Sequence, residues 1–118
     1  MAERTERRPL PHERLDAFQV ALQLVALVSA LPPSRGASDT FDQLRRASTS
    51  IVLNIAEGVG KQGRDRTRFY EIARGSALEC AVAPASVLRL QRALTLDAHD
   101  RGHDFCERVY AMLTRLVR

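Results

Sequence analysis

Residues 41–58 read FDQLRRASTSIVLNIAEG and place apolar side chains three or four positions apart. This spacing predicts an α-helix whose apolar face carries Phe41, Leu44, Ala47, Ile51 and Ile55. Ser38 or Asp39 is the expected N-cap, because a short polar side chain can accept a hydrogen bond from a free amide of the first turn. We expect the helix to run to about Glu57 and to end in the glycines at positions 58, 60 and 63, since glycine tolerates the left-handed conformation of many helix ends.

A more strongly apolar segment precedes this helix, from Leu15 to Leu31. Thirteen of its seventeen residues are apolar, yet the run is too short and too interrupted for a membrane span of about 20 residues. We therefore predict a helix that Pro32 and Pro33 end, and no association with a membrane. Its apolar residues form two stripes, so the helix should be buried on two sides. We expect Leu24 and Val28 of one stripe to face another subunit.

Two further helices are predicted on the C-terminal side. The third begins near Asp65 and continues to Leu94, with Pro84 in its interior. An interior proline removes one backbone hydrogen bond, so we expect a bend there. The last helix begins at Asp97 and runs to the C-terminus, with acidic residues in its first turns and arginines in its last turn, as the helix dipole favours.

Four helices with short connections predict an all-α, antiparallel up-down-up-down four-helix bundle. At 118 residues the chain is long enough for one domain, which we place at residues 15–118 after a polar tail of residues 1–14. No segment shows the sustained two-residue alternation of a strand. The first residues are charged and resemble no signal peptide, which favours a cytoplasmic location.

The second and third helices resemble a known family in several short runs. On the second helix these are Gln43 to Ser48, Ser50-Ile51 and the run Asn-Ile-Ala-Glu-Gly at residues 54–58; on the third they are Arg68-Phe69, Glu71 to Ala73 and Gly75 to Glu79. These runs are similar to the signature of the four-helix bundle proteins encoded in ribosomal-RNA intervening sequences. The resemblance covers about Leu15 to Leu94.

This resemblance implies an antiparallel bundle that assembles as a ring, typically a homopentamer, with no catalytic activity and no cofactor. A related group, the accessory variability determinants of diversity-generating retroelements, has a similar bundle and binds nucleic acid and a reverse transcriptase. The resemblance therefore implies nucleic acid, a reverse transcriptase or another acidic protein as partners, and leaves the cellular role open.

Polar residues interrupt the faces of the second and third helices that should meet. Buried polar groups need hydrogen-bond partners, so we predict a structural polar network that fixes helix register, formed by Ser50, Asn54, Glu57, Ser76 and Glu79. The alternative is that Asn54 and Glu57 line a small pocket.

Basic residues concentrate around the connection between the same two helices. The net charge is +4 and the sequence pI is about 9.8, a weak preference for acidic partners. A solvated turn is one interpretation of the cluster. Repeated around a ring, however, it would form a multivalent basic rim, and we predict nucleic-acid binding, to RNA or an RNA–protein complex, by Arg45, Arg46, Lys61, Arg64, Arg66 and Arg68.

Other chemical motifs are less favourable. The run from Gly58 to Lys61 lacks the Ser or Thr and the preceding strand of a phosphate-binding loop. His99, His103 and Cys106 have a spacing that could supply metal ligands, but a solvated histidine pair is favoured, and no metal is predicted. Cys80 and Cys106 are expected to be buried thiols, with a disulfide the less favoured alternative. No nucleophile motif is present, so we predict no catalytic residues and no enzyme.

Overall fold

The computed structural model describes residues 15–32 and 36–117. These residues form helices α1 (Asp16–Ser29), α2 (Ser38–Val59), α3 (Gly63–Val82), α4 (Pro84–Leu90) and α5 (Leu96–Leu116). No strand occurs within these ranges, so the predicted all-α class is confirmed. The predicted polar tail at residues 1–14 lies outside the described residues.

The helix packing defines the bundle. Helix α1 packs on α2 and α5, while α3 packs on the other sides of α2 and α5. The diagonal pairs α1–α3 and α2–α5 do not pack against each other in the described part of the chain. Consecutive long helices are therefore neighbours and the last returns to the first, which is the arrangement of the predicted up-down-up-down four-helix bundle.

The third long helix is interrupted at the proline. Helix α3 ends at Val82, and Pro84 opens α4 in a position where a missing N–H breaks no helical hydrogen bond. Between them Ala83 has φ −90° and ψ −74°, and its N–H still donates to the Glu79 carbonyl at 3.1 Å. In place of the expected bend, the structure thus has a break into two helical segments. Helix α4 packs on both α2 and α3.

The start of α2 differs from the sequence-based expectation. The N-cap is Ala37, which makes no side-chain capping bond, and the Phe41 N–H donates to the Ala37 carbonyl at 3.0 Å. Ala37 is buried in the core, so its packing fixes the helix start one residue before the polar candidates. At the other end Gly60 has an ordinary φ of −79°, and the left-handed residue is Gly63, with φ +57°.

The predicted subunit contact on α1 requires a correction. Leu24 and Val28 are only 2% and 3% exposed within this single chain, so both belong to the subunit's own core and not to a surface open to a partner. The physical reason is that α2 and α5 cover this stripe, whereas the other stripe leaves Leu22 40% exposed. None of the described helices is both long and apolar enough to cross a membrane.

Candidate nucleic-acid interface on α2 and α3

Helices α2 and α3 approach closely at Gly58. A Cβ atom at this position would lie 2.6 Å from Tyr70 Cε1, too near for two carbon atoms without a shift. Tyr70 is buried against this backbone, and its burial raises the pKa of the phenol, while the charge of Arg66 acts in the opposite direction. The glycine that ends the Asn54–Gly58 run therefore has a packing role that the sequence analysis did not assign.

A small polar cluster joins the two helices farther along. The hydroxyl groups of Ser50 and Ser76 are hydrogen-bonded at 2.9 Å. Asn54 Nδ2 donates to the Ser50 carbonyl at 2.8 Å and to Ser50 Oγ at 3.0 Å. The structure thus brings together three of the five residues predicted as a network. The Ser50–Ser76 hydrogen bond joins the two helices and fixes the register of the antiparallel α2–α3 pair.

The two acidic residues lie outside this cluster, which corrects the prediction. Glu57 and Glu79 are exposed, and Glu57 Oε2 lies 4.0 Å from Lys61 Nζ. Keeping both carboxylates in water avoids the cost of burying a charge. The alternative, in which Asn54 and Glu57 line one small pocket, is not supported either. Asn54 lines an open groove of about 390 Å³ on α2, and Glu57 is not among the residues that line this groove.

Arg66 contacts the end of the preceding helix. Its Nε donates to the Gly58 carbonyl and its guanidinium also donates to the Val59 carbonyl, both at 3.1 Å. These carbonyls belong to the last turn of α2, where a cation is favourable because helical partners are missing. Of the basic residues predicted to bind nucleic acid, Arg66 therefore has an intramolecular role that holds the turn.

The same geometry argues against a phosphate loop. The residues from Gly58 to Lys61 close the C-terminal end of α2, so they present carbonyl oxygens where a phosphate loop would present N–H groups. An anion held by this backbone would meet partial negative charge. Phosphate binding by this run of four residues would have to come from the Lys61 side chain.

The remaining basic side chains are exposed. Arg45 pairs with Asp42 at 2.9 Å and lies over the Phe41 ring, 5.6 Å from its centroid. Arg68 lies over the Phe69 ring at 4.9 Å, an aromatic contact that the adjacent Arg-Phe letters could have suggested. The side chains of Arg46, Lys61 and Arg64 are exposed as well.

These residues form two groups along the α2–α3 pair and not one patch. Arg46 lies thirteen residues before Val59, the last residue of α2, which is about 20 Å along the helix axis. Lys61, Arg64 and Arg68 surround the turn. We call the turn residues the turn group and Arg45 with Arg46 the helix group. A polyanion would have to be extended to contact both.

The histidines that were considered as metal ligands lie at the start of α5. The rings of His99 and His103 stack with centroids 6.3 Å apart. His99 Nδ1 is buried without a hydrogen bond, 3.5 Å from Asp100 Oδ1. Across residues 15–32 and 36–117, no three His, Cys, Asp or Glu side chains lie close enough together to hold a metal ion, so the three-ligand group with Cys106 does not form there.

This chain is similar to one known protein family and to a solved structure. Residues 13–115 match the family described as 23S rRNA-intervening sequence protein. The fold is similar to a crystal structure from Bacteroides thetaiotaomicron, described as a protein with unknown function from the S23 ribosomal protein family, with a TM-score of 0.69 and 21% sequence identity; the similarity covers 86% of this chain and 90% of that chain. At this identity the likeness shows the fold alone. None of the curated proteins compared with the chain matches it.

Proposed function

This chain belongs to the 23S rRNA-intervening sequence protein family, and we propose that it is a non-catalytic, ring-forming bundle that binds nucleic acid, preferentially RNA, through the turn group and the helix group. The observation that carries the proposal is the exposure of Arg46, Arg64 and Arg68 on two helices held in fixed register, and of Lys61 in the turn between them. Rigid helices keep the backbone positions of these charges fixed, and exposure leaves the side chains accessible to solvent and to a polyanion.

The local charge balance supports the turn as the stronger group. Between Glu57 and Arg68 the chain carries four basic and two acidic residues, a net charge of +2. Contacts from such side chains to phosphates position a nucleic acid without reading its bases. We therefore expect binding that tolerates changes of sequence and weakens steeply with salt.

The contact between Arg68 and Phe69 adds a second element. A guanidinium held over an aromatic ring gains cation–π attraction and keeps a defined orientation. Its remaining N–H groups can donate to a phosphate, and its planar face can stack on an unpaired base, which favours single-stranded RNA.

Assembly into a ring, with five subunits favoured, would multiply these weak contacts. A ring needs two different faces on each subunit. From the exposed apolar side chains we choose two: Leu53 and Ile72 on the α2–α3 pair, and Val87, Leu90 and Leu96 around α4 and the start of α5. Repetition of the basic groups around the ring then gives a rim whose avidity exceeds single-site affinity by about 10² to 10⁴.

The test is fluorescence anisotropy of labelled RNA and DNA across a salt series. The variant is R64S/R68S, which leaves the structural Arg66 in place. The matched control is R101S/R108S on α5, which removes the same charge from exposed arginines that pair with Asp97 and Asp104. The turn variant should lower the log–log salt slope by about 1.5, for two lost phosphate contacts, and the control should lower it less.

Equal slopes for both variants would contradict the proposed site. The alternative function is a scaffold whose basic groups dock an acidic protein, such as a reverse transcriptase, without nucleic acid. It is supported by the pairing of Arg45 with Asp42 and of Lys61 with Glu57, because in these contacts the same groups bind carboxylates within the chain. Absence of any RNA or DNA binding at low salt would replace our proposal with the scaffold.

A further inference from the structure

Two cysteines that lie far apart in the sequence are both buried inside the bundle. Cys80 on α3 and Cys106 on α5 are both buried, and both carry free thiols. They line the same cavity of about 30 Å³, and they lie close enough for a hydrogen bond between the thiols to shift the pKa of each. Two thiols on helices that pack against each other thus share one cavity.

The pair is chemically asymmetric. The hydrogen bond with Cys80 lowers the pKa of Cys106, against the opposing effect of burial. The same hydrogen bond, together with burial, raises the pKa of Cys80. A proton is therefore lost first from Cys106, and the thiolate is the reactive form of cysteine.

Access from the surface is asymmetric in the same sense. Cys106 also lines a groove of about 190 Å³ between α3 and α5, whose walls include Leu78, Val82 and Tyr110. Cys80 is not among the residues that line this groove. A small oxidant in the groove reaches Cys106, whereas a larger peptide disulfide would have to displace the apolar walls.

We propose that Cys106 and Cys80 form a hydroperoxide-sensitive pair, in which Cys106 is oxidised first and Cys80 resolves it to an intramolecular disulfide. In the first step the Cys106 thiolate attacks one oxygen of hydrogen peroxide; the O–O bond breaks, the sulfur becomes a sulfenic acid, and the leaving hydroxide takes a proton to give water. In the second step the Cys80 sulfur attacks the Cys106 sulfur. The S–S bond forms, the S–O bond breaks, and the Cys80 proton leaves with the hydroxyl group as a second water.

The disulfide would change the mechanics of the bundle. It joins α3 directly to α5 and closes a loop that contains α4 (Pro84–Leu90). A bond across a loop of this length restricts the unfolded chain, so the oxidised subunit should melt higher than the reduced one by roughly 5–15 °C. Oxidation would thus strengthen the part of the bundle that the proline break divides.

The experiment uses the full chain, first reduced and freed of reductant, then treated with hydrogen peroxide. Intact mass under denaturing, thiol-blocking conditions should show the loss of two hydrogen atoms, and peptide mapping should join the Cys80 and Cys106 peptides within one chain. A parallel arm with glutathione disulfide should react more slowly. Thermal unfolding of the oxidised sample should show the higher midpoint, reversed by a reductant.

Two variants assign the order of the steps. In C80S the resolving thiol is absent, so dimedone should trap a sulfenic acid on Cys106; in C106S trapping at Cys80 should be much slower. Trapping mainly at Cys80, a disulfide between chains, or full retention of both thiols in the folded parent would overturn the proposal. Because the mass and mapping measurements use the parent chain, they decide the matter even where a variant folds poorly.

Discussion

At the scale of single residues, the α2–α3 contact depends on the lack of a side chain at Gly58. Gly58 lets the Tyr70 ring lie against the backbone of α2. The sequence pattern predicts only that this glycine is part of a helix end, because glycine is common there. The structure places it inside the last turn, where the decisive factor is the distance to a residue twelve positions later. Such a contact cannot be derived from local pattern alone.

The first prediction compares two glycine replacements. G58A should destabilise the subunit by about 1–3 kcal/mol, because an extra methyl group in a filled space forces its neighbours to move. G75A is the control: Gly75 lies within α3, and a Cβ there meets nothing within 4 Å, so alanine should stabilise the helix by about 0.5–1 kcal/mol. Urea unfolding followed by circular dichroism measures both. Equal effects of the two variants would contradict the packing role of Gly58.

The second prediction concerns the polar cluster. N54A removes both hydrogen bonds to Ser50 and should cost about 1 kcal/mol of unfolding free energy. E79A, on the exposed surface of α3, should change it by less than about 0.5 kcal/mol. If N54A keeps parental stability but weakens RNA binding, the groove that Asn54 lines is a binding site and the structural role of this residue is wrong.

At the scale of the helix, periodicity predicted most of the structure. The apolar stripe from Phe41 to Ile55 predicted α2 and its buried face. Pro84 predicted a bend in the third helix, where the structure has a break. The ends were harder to predict, since Ala37 starts α2 through core packing and Arg66 ends it through hydrogen bonds from the next helix. Both depend on contacts between elements, which a single helix pattern does not contain.

The third prediction tests the arginine at this helix end. R66A should destabilise the subunit by about 1–3 kcal/mol, because two carbonyl groups lose a charged donor. R64A removes an exposed arginine two residues away and should have an effect within about 0.5 kcal/mol. Thermal unfolding at matched salt compares them. A stable R66A subunit with reduced RNA affinity would mean that Arg66 acts mainly as a phosphate ligand.

At the scale of the whole molecule, four helical segments with short connections predicted the bundle but not its surface. The apolar segment from Leu15 to Leu31 suggested two buried sides, and the structure covers one of them with α2 and α5. Which stripe faces the core depends on how α1 is rotated about its axis, and both stripes are similarly apolar. The residues left for contacts between subunits are therefore visible only in the folded chain.

The fourth prediction follows from that surface. Leu90 is 85% exposed, so a charge there costs the isolated subunit little, but it would be buried in a ring that uses the face around α4. L90E should reduce the number of subunits per particle, measured by light scattering on a sizing column, while helical circular dichroism is retained. RNA affinity should fall in parallel, since the basic rim loses its multivalency.

Two controls separate assembly from folding. L22E places the same charge on α1, at an exposed position outside both proposed contact faces, and should leave the particle and its RNA affinity unchanged. L24E places it in the core and should abolish the helical signal, since a buried unpaired carboxylate costs several kcal/mol. A parent chain that is monomeric at micromolar concentration would contradict the ring itself. A particle that L90E leaves intact but L22E dissociates would move the contact face from α4 to α1.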